Sequence, residues 1–230
     1  MSIPDQPKIY HILHVDRLAS VLTGGGLWSD AKVLEHTLPG TTIGMSGIKE
    51  RRLKQNFLTS HPGMKVGECV PFYFCPRSIM LFLIYQANHP ELTYRGGQGP
   101  IIHLECDLKA AVAWAEALKR RWAFTLSNAG SLYFEDRADL AQLGEINWDA
   151  VAAHKWSGTG VDRSIKEGKQ AEFLLEESFP WGLVERIGVR SLAVYQQVAN
   201  LLPTNQHRPK LEILKQWYYY TKASHHDHSH

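Results

Sequence analysis

The sequence has few cysteines, and they follow no disulfide or metal-binding pattern. Its 230 residues include only three, Cys69, Cys75 and Cys106, and no two of them form a Cys-x-x-Cys pair. An odd, sparse set of this kind argues against a disulfide scaffold and against a structural zinc site. His11 and His14 stand three residues apart, but no third ligand lies nearby, so we predict no metal centre.

Long apolar runs are also absent. The longest candidate, residues 79–85, is far shorter than the roughly 20 apolar residues that a transmembrane helix needs. The first residues of the chain are polar and lack the apolar core of a secretory signal. We therefore expect a cytoplasmic protein that does not engage a membrane.

The common glycine-containing nucleotide and hydrolase motifs are missing too. The chain has no Gly-x-Gly-x-x-Gly after a strand, no P-loop and no Gly-x-Ser-x-Gly nucleophile elbow. Any nucleotide must therefore bind outside the common dinucleotide and P-loop designs. The formal net charge is only +2, which permits a nucleic-acid partner without requiring one.

The composition is that of a globular protein with a sizeable core. Hydrophobic residues make up 44% of the chain and charged residues 21%. Because domains usually span about 100–200 residues, we expect a single domain over residues 1–222. Residues 223–230 are His-rich, and we expect them to be a disordered tail, either native or an affinity tag.

Apolar periodicity predicts strands and helices in an irregular order. We predict strands at residues 9–14, 70–74, 101–105, 122–125, 170–175 and 211–219. We predict helices at residues 17–22, 48–57, 108–121 and 148–154, and a helical turn at 180–185. Residues 29–47 and 157–168 lack periodicity and are interpreted as long loops, which are often functional. This irregular mixture favours an α+β fold over a doubly wound sheet.

One acidic residue stands out in the strand pattern. Alternation places Ala171 and Phe173 on one face, and Gln170, Glu172 and Leu174 on the other. A glutamate among apolar strand residues is either a charge at the sheet edge or a functional-site residue. The pattern alone leaves both interpretations open.

Two cationic segments are further candidates. Arg51 and Arg52 are adjacent on a predicted helix and therefore point about 100° apart, so that one can face a pocket. The alternative is a basic helix face in solvent. Tyr73, Arg77 and Ser78 lie close together, and Arg with Tyr suits phosphate contact and base stacking. A buried strand and turn with one surface arginine is the alternative there.

Taken in order, these segments resemble the DarT family of DNA ADP-ribosyltransferase toxins. The matching segments are residues 10–18, 48–52, 70–81, 124–129, 170–174, 179–181 and 217–219. They cover nearly the whole chain, and the block at residues 72–81 is the most specific. The resemblance implies an ADP-ribosyltransferase-like α+β fold, in which a split mixed β-core with surrounding helices grips NAD+ in a cleft.

The resemblance also implies two catalytic residues. Glu172 matches the family's catalytic glutamate, which holds the 2′-hydroxyl of the nicotinamide ribose and stabilises the charge that develops as nicotinamide leaves. The second residue is an arginine of the basic helix, and spacing from Ile48 favours Arg52 over Arg51. Because an arginine is a very weak base at neutral pH, we expect it to contact the NAD+ phosphates and polarise the target base.

The remaining expected contacts divide between the two substrates. The resemblance places NAD+ contacts at His11, Ile12, Leu13, Ser20, Trp28 and Arg52. We expect DNA contacts from Tyr73, Arg77, Ser78 and Asn128. No metal takes part in the expected reaction.

The resemblance implies a toxin that transfers ADP-ribose from NAD+ to a base in a specific sequence of single-stranded DNA, since a base nitrogen inside a duplex is paired. Leu13, Arg17 and Leu126 stand where the family commonly has Thr, Asn and Asp, which leaves the base open, with thymine first and guanine second. The expected partner is a DarG-like macrodomain antitoxin, and the expected state is a monomer. The alternatives are an ADP-ribosyltransferase that acts on protein or RNA, and an inactive nucleic-acid-binding module of the same fold.

Overall fold

The computed structural model describes residues 2–220, which form a mixed β-sheet with flanking helices. The strands are β1 (Lys8–His14), β2 (Gly26–Trp28), β3 (Cys69–Tyr73), β4 (Ile101–Asp107), β5 (Trp122–Thr125), β6 (Asp136–Arg137), β7 (Glu172–Glu176), β8 (Ser178–Pro180), β9 (Val184–Val189) and β10 (Lys210–Ile213). The α-helices are α1 (Leu18–Thr23), α2 (Asp30–Glu35), α3 (Ser46–Lys54), α4 (Ile79–Gln86), α5 (Leu108–Ala117), α6 (Trp148–Ala152), α7 (Arg163–Gly168) and α8 (Leu192–Leu201).

Within the described residues, eight strands form one sheet in the order β10-β9-β4-β1-β3-β7-β5-β6. The neighbouring strands are antiparallel except for β9 and β10, which run parallel. Strands β2 and β8 form a separate two-stranded ribbon. This mixed architecture confirms the predicted α+β fold class.

The large sheet is nearly divided between β1 and β3. Along its whole length β1 pairs with β4, from Lys8 opposite Asp107 to His14 opposite Ile101. Against β3, by contrast, it has a single registered pair, Tyr10 and Tyr73. Beyond this pair, β1 and β3 are not paired in register. Residues of both strands line the large cavity described below.

Aromatic packing covers both faces of the sheet. On one face, the Phe72 ring lies 4.6 Å from that of Phe179 and 6.1 Å from that of Phe173, within the main hydrophobic core. On the other, α4 packs with the C-terminal aromatic residues. The Tyr218 hydroxyl donates to the Ile101 carbonyl at 2.7 Å, which fixes this aromatic segment against β4.

The two segments that we interpreted as loops each contain a short helix. Helix α2 begins after Ser29, whose Oγ accepts a hydrogen bond from the Lys32 amide at 3.2 Å. Helix α7 begins after Asp162, whose carboxylate accepts from the Ser164 amide at 2.7 Å. Both helices have only six residues and present no apolar stripe to the core. Apolar periodicity therefore could not predict these two helices, although Ser29 and Asp162 are residue types that commonly cap a helix N-terminus.

Other predicted boundaries were wrong near the C-terminus. The predicted strand at 211–219 ends at Ile213, because the chain then turns through a 3₁₀ helix, Lys215–Trp217, and buries Tyr218. Strand β9 and helix α8 were not predicted, and the predicted helical turn at 180–185 is limited to Trp181–Leu183. None of the helices in residues 2–220 is long and apolar enough to cross a membrane. The His-rich residues 223–230 lie outside the described part.

A buried carboxylate on β6 fastens the loop that precedes β3. Asp136 is 4% exposed. Its oxygens accept hydrogen bonds from the backbone amides of Thr59 and Ser60, at 2.8 and 2.9 Å, and from both hydroxyls. Burial alone would raise the pKa of Asp136, but these four donors outweigh it and hold the pKa below its ordinary value.

Asp136→Asn should lower the free energy of unfolding at pH 7 by about 2 kcal/mol, since hydrogen bonds to a charged group are lost. A carboxylate whose pKa is lowered on folding stabilises the fold at pH values above its unfolded pKa of about 4. This stabilisation is lost as the pH falls through the pKa of the folded state. The difference between variant and wild type should thus shrink below about pH 4. Urea unfolding followed by tryptophan fluorescence measures this, with the exposed Asp5→Asn as control. An unchanged difference at low pH would contradict the assignment.

Candidate active site

A cavity of about 580 Å³ opens within the described residues. It lies between strands β1, β3 and β7, helix α3 and the segment that runs from β2 to α3. Both apolar and charged side chains line it, which is typical of a small-molecule site with a few orienting polar groups.

Most residues that the sequence predicted for the site meet in this cavity. Its lining includes His11, Ile12, Leu13, Ser20, Trp28, Arg52, Tyr73, Asn128 and Glu172. Ser78 does not join them, because it is fully buried and its Oγ caps α4 by accepting from the Leu81 amide at 3.1 Å. Arg77 lines a second, smaller cavity instead. These are positions only, and the roles assigned to the residues remain predictions.

Glu172 is the first residue of β7, in register with Tyr73 on β3. It is 2% exposed, and its backbone amide donates to Thr125 Oγ1 at 3.0 Å. Its carboxylate accepts from the Ala129 amide at 3.3 Å and from Arg52 Nη2. Since β7 lies between β3 and β5, Glu172 is not a charge at the sheet edge. It is a buried carboxylate that opens onto the cavity.

Helix α3 presents only one of its two adjacent arginines to the cavity. Arg52, 12% exposed, forms the ion pair with Glu172, whereas Arg51 donates through Nε to the Gly130 carbonyl at 3.3 Å. Burial would lower the pKa of Arg52, but the Glu172 carboxylate outweighs it and raises that pKa. Arg52 therefore stays a cation. Its Nε is buried and has no hydrogen-bond partner between residues 2 and 220, so one donor remains for a ligand oxygen.

The His11 ring has a defined tautomer. Its Nδ1 lies 2.7 Å from the Pro71 carbonyl oxygen, which can only accept, so Nδ1 carries the proton. Burial lowers the pKa of His11 and outweighs this hydrogen bond. The ring is therefore neutral at neutral pH, and its Nε2 can accept a hydrogen bond from a ligand hydroxyl or amide.

One wall of the cavity was not predicted residue by residue. The segment between α2 and α3 contributes Leu38, Thr41, Thr42, Ile43, Gly44 and Met45. Arg17 holds it by donating from Nε to the Thr41 carbonyl at 2.9 Å, and Asp16 by accepting from the Thr41 amide at 2.9 Å. The only signal in the sequence was the length of the aperiodic stretch.

The described residues offer no cluster of side chains that could bind a metal ion. Among residues 2–220, no group of three or more His, Cys, Asp or Glu side chains is placed to hold a metal ion. The charges that face the large cavity are the side chains of its own ion pairs and of Arg17.

Comparison with known proteins decides the family. The family model described as "ssDNA thymidine ADP-ribosyltransferase, DarT" matches residues 10–219. The chain belongs to the DarT family. This confirms the resemblance and the expected enzyme class, a DNA ADP-ribosyltransferase with NAD+ as co-substrate.

Individual DarT relatives match over nearly the full chain. A DNA ADP-ribosyl transferase of Thermus sp. (strain 2.9) is 34% identical over 224 residues, which cover 94% of this chain and 98% of that protein. The structure of Thermus sp. 2.9 DarT in complex with ADP-ribosylated ssDNA superposes with a TM-score of 0.84 at 33% identity, covering 95% and 99% of the two chains. The complex of that DarT with NAD+ gives 0.79 at 31% identity, covering 95% and 100%.

In this DarT chain, replacing Arg52 should lower the free energy of unfolding more than replacing Arg51 does, because the buried ion pair with Glu172 is formed by Arg52. We expect Arg52→Leu to lower the free energy of unfolding by about 3 kcal/mol, because it leaves Glu172 buried without its counter-ion. Arg51→Leu should change it by roughly 0.5 kcal/mol or less. Urea denaturation measures both.

A double variant provides the control. Replacing both Arg52 and Glu172 by Leu should recover most of the stability lost in Arg52→Leu, since no unpaired charge remains buried. Equal losses for Arg51→Leu and Arg52→Leu would contradict the ion-pair assignment.

Proposed function

We propose that this protein transfers the ADP-ribose of NAD+ to thymine in single-stranded DNA and releases nicotinamide. The observation that carries the proposal is the buried Arg52–Glu172 pair on the cavity that His11 also lines. The family description, which names thymidine in ssDNA, supports thymine as the first candidate. Guanine is the second.

Glu172 is the group that we assign to the departure of nicotinamide. Its carboxylate accepts a hydrogen bond from the 2′-hydroxyl of the nicotinamide ribose. The bond from the anomeric carbon to the nicotinamide nitrogen breaks, and the electron pair leaves with nicotinamide. The positive charge that develops on the ribose is stabilised by the carboxylate, whose effect is strengthened by its burial.

Arg52 acts as a fixed cation on the other side of the reaction. Because its pKa is raised, it cannot take a proton from the DNA base. It contacts the NAD+ phosphates and polarises the base by hydrogen bonding, using the Nε that has no partner among residues 2–220. A ring nitrogen of the base then bonds to the anomeric carbon, and its proton passes to solvent.

The other cavity residues position NAD+. A volume of about 580 Å³ falls within the range of ligand pockets. His11 Nε2 accepts from a ribose hydroxyl or from the nicotinamide amide, while Ser20 and Trp28 line the same cavity. Ile12 and Leu13 supply backbone and side-chain contacts from β1, and Tyr73 and Asn128 face the DNA base.

The cellular role follows from the family resemblance. We propose that the enzyme is a monomeric toxin whose partner is a macrodomain antitoxin that removes the modification. A macrodomain gene found beside this one would support the pairing. Wild-type protein should arrest an expression host and Glu172→Ala should not; equal toxicity of the two would contradict a role for the transferase in toxicity.

The decisive assay incubates the protein with NAD+ and single-stranded oligonucleotides, and reads intact mass. Wild type should add one ADP-ribose to DNA, and oligonucleotides that lack thymine should stay unmodified. Glu172→Gln, which keeps the shape but removes the charge, should lower the rate by about a hundredfold or more. Glu176→Gln is the matched control, since Glu176 lies on the same strand but pairs with Arg121 away from the cavity.

The other outcomes separate the alternatives. Modification only of thymine-free oligonucleotides that contain guanine would move the assignment to guanine. Consumption of NAD+ without a mass gain on DNA would favour a protein or RNA acceptor. Absence of NAD+ consumption would favour an inactive nucleic-acid-binding module.

A further inference from the structure

A second, smaller cavity of about 180 Å³ lies close to the active site along the chain. Strand β3 ends at Tyr73, which lines the large cavity, and the segment that follows it carries Cys75 and Arg77, which line the small one. Lys169 also lines the small cavity, while the next residue, Gln170, lines the large one. The remaining lining residues are Pro76, Val151, Ala152, Ala153, His154, Gln216 and Tyr219. No carboxylate occurs in this set.

Lys169 is a buried amine without a counter-ion. Its residue is 3% exposed, and its Nζ donates to the Val151 carbonyl at 3.0 Å and lies 3.7 Å from Cys75 Sγ. Burial outweighs the nearby amine and raises the pKa of Cys75, so the thiol supplies no negative charge. Between residues 2 and 220, no ion pair is formed by this lysine. Such a charge is costly to bury unless something compensates it.

Arg77 adds a second cation that is held in position. Its guanidinium lies 4.7 Å from the centre of the Tyr219 ring, and its Nη1 donates to His154 Nδ1 at 3.2 Å. The Tyr219 hydroxyl in turn donates to the Arg77 carbonyl at 2.9 Å, which fixes the ring. The Nε of Arg77 is buried and has no hydrogen-bond partner in the described part of the chain. One donor of an oriented guanidinium therefore remains unused.

We propose that this cavity is a phosphodiester-binding subsite, in which Lys169 and Arg77 hold the DNA backbone beside the modified base. The proposal rests on the proposed function, because it takes single-stranded DNA as the acceptor. A phosphate oxyanion supplies the negative charge that both cations lack, and it accepts from the unused guanidinium donor. Residues that line the two cavities are close in sequence both after β3, at Tyr73 and Cys75, and before β7, at Lys169 and Gln170. We therefore assign the phosphate to a nucleotide near the reacting base.

Such a subsite would position the strand without reading its sequence, as phosphate contacts generally do. The NAD+ pyrophosphate carries the same chemistry and is the other possible source of the oxyanion. Arg52 and Lys49 already line the large cavity assigned to NAD+, so we assign the small cavity to DNA. The test below separates the two sources.

The protein-side test compares Lys169→Met with Lys166→Met. Methionine keeps the unbranched shape of the buried side chain, and Lys166 is an exposed lysine of α7 three residues away. Lys169→Met should raise the KM for an oligonucleotide by about tenfold and leave the Kd for NAD+, measured without DNA, unchanged. Lys166→Met should leave both unchanged. A weaker Kd for NAD+ with an unchanged oligonucleotide KM would assign the cavity to NAD+ and overturn the proposal.

The DNA-side test does not depend on how well the variant folds. Oligonucleotides that carry one neutral methylphosphonate linkage, moved along the strand, remove one phosphate charge at a time. At one linkage near the modified base, wild type should lose about tenfold in affinity, while Lys169→Met should lose nothing further. If every linkage affects the two proteins equally, the subsite does not exist.

Failure of the proposed function has a different signature. If wild type adds no ADP-ribose to any oligonucleotide, the transferase assignment fails for DNA. Fluorescence anisotropy of the labelled oligonucleotides then still decides the subsite, since it measures binding without reaction. Ordinary modification by wild type with no effect of Lys169→Met or of any methylphosphonate overturns the subsite alone.

Discussion

The ion pair between Arg52 and Glu172 is the constraint on which the site depends. It joins helix α3 to strand β7 across 120 positions of sequence, and it buries both charges. Desolvating two charges is costly, and attraction repays the cost only when geometry and further hydrogen bonds are good. Here the pairing of β7 with β3 fixes the glutamate, and the Ala129 amide adds a hydrogen bond. The fold thus holds a buried carboxylate on the cavity, at the position to which we assign the departure of nicotinamide, on a strand that is paired on both sides.

The division of the sheet explains why a cavity exists at this place. A fully paired sheet would leave no room between β1 and β3, but the two strands share only the Tyr10 and Tyr73 pair. Each half of the sheet is nevertheless well paired on its other side, by β4 and by β7. Site residues on β1 and β7 therefore stand on rigid strands, as precise positioning requires. The segment that closes the cavity is attached through Asp16 and Arg17 instead.

The sequence predicted the core strands, and several residues that line the cavity, better than the surroundings of the site. Apolar alternation located β3 and β5 because both are buried strands with strong patterns. It could not decide whether Glu172 was an edge charge, because burial there depends on β3 and β5, which are distant in sequence. The family resemblance favoured the interpretation of Glu172 as a functional-site residue. Neither approach indicated that Lys169 is buried, since it stands between Gly168 and Gln170 in a polar stretch and its cover comes from α6 and the end of β3.

The distribution of charge, not its sum, explains how a chain with a formal net charge of +2 can handle a polyanion. Each carboxylate that lines the large cavity is ion-paired: Asp30 with Lys49, Glu50 with Lys54, and Glu172 with Arg52. That balance suits a site where positive charge develops on the ribose during reaction, because excess cations would oppose it. The small cavity has two cations and no carboxylate, which suits a phosphodiester. If the small cavity is the phosphodiester subsite that we propose, this separation would let one protein attract the DNA backbone without raising the energy of the charged transition state in the large cavity.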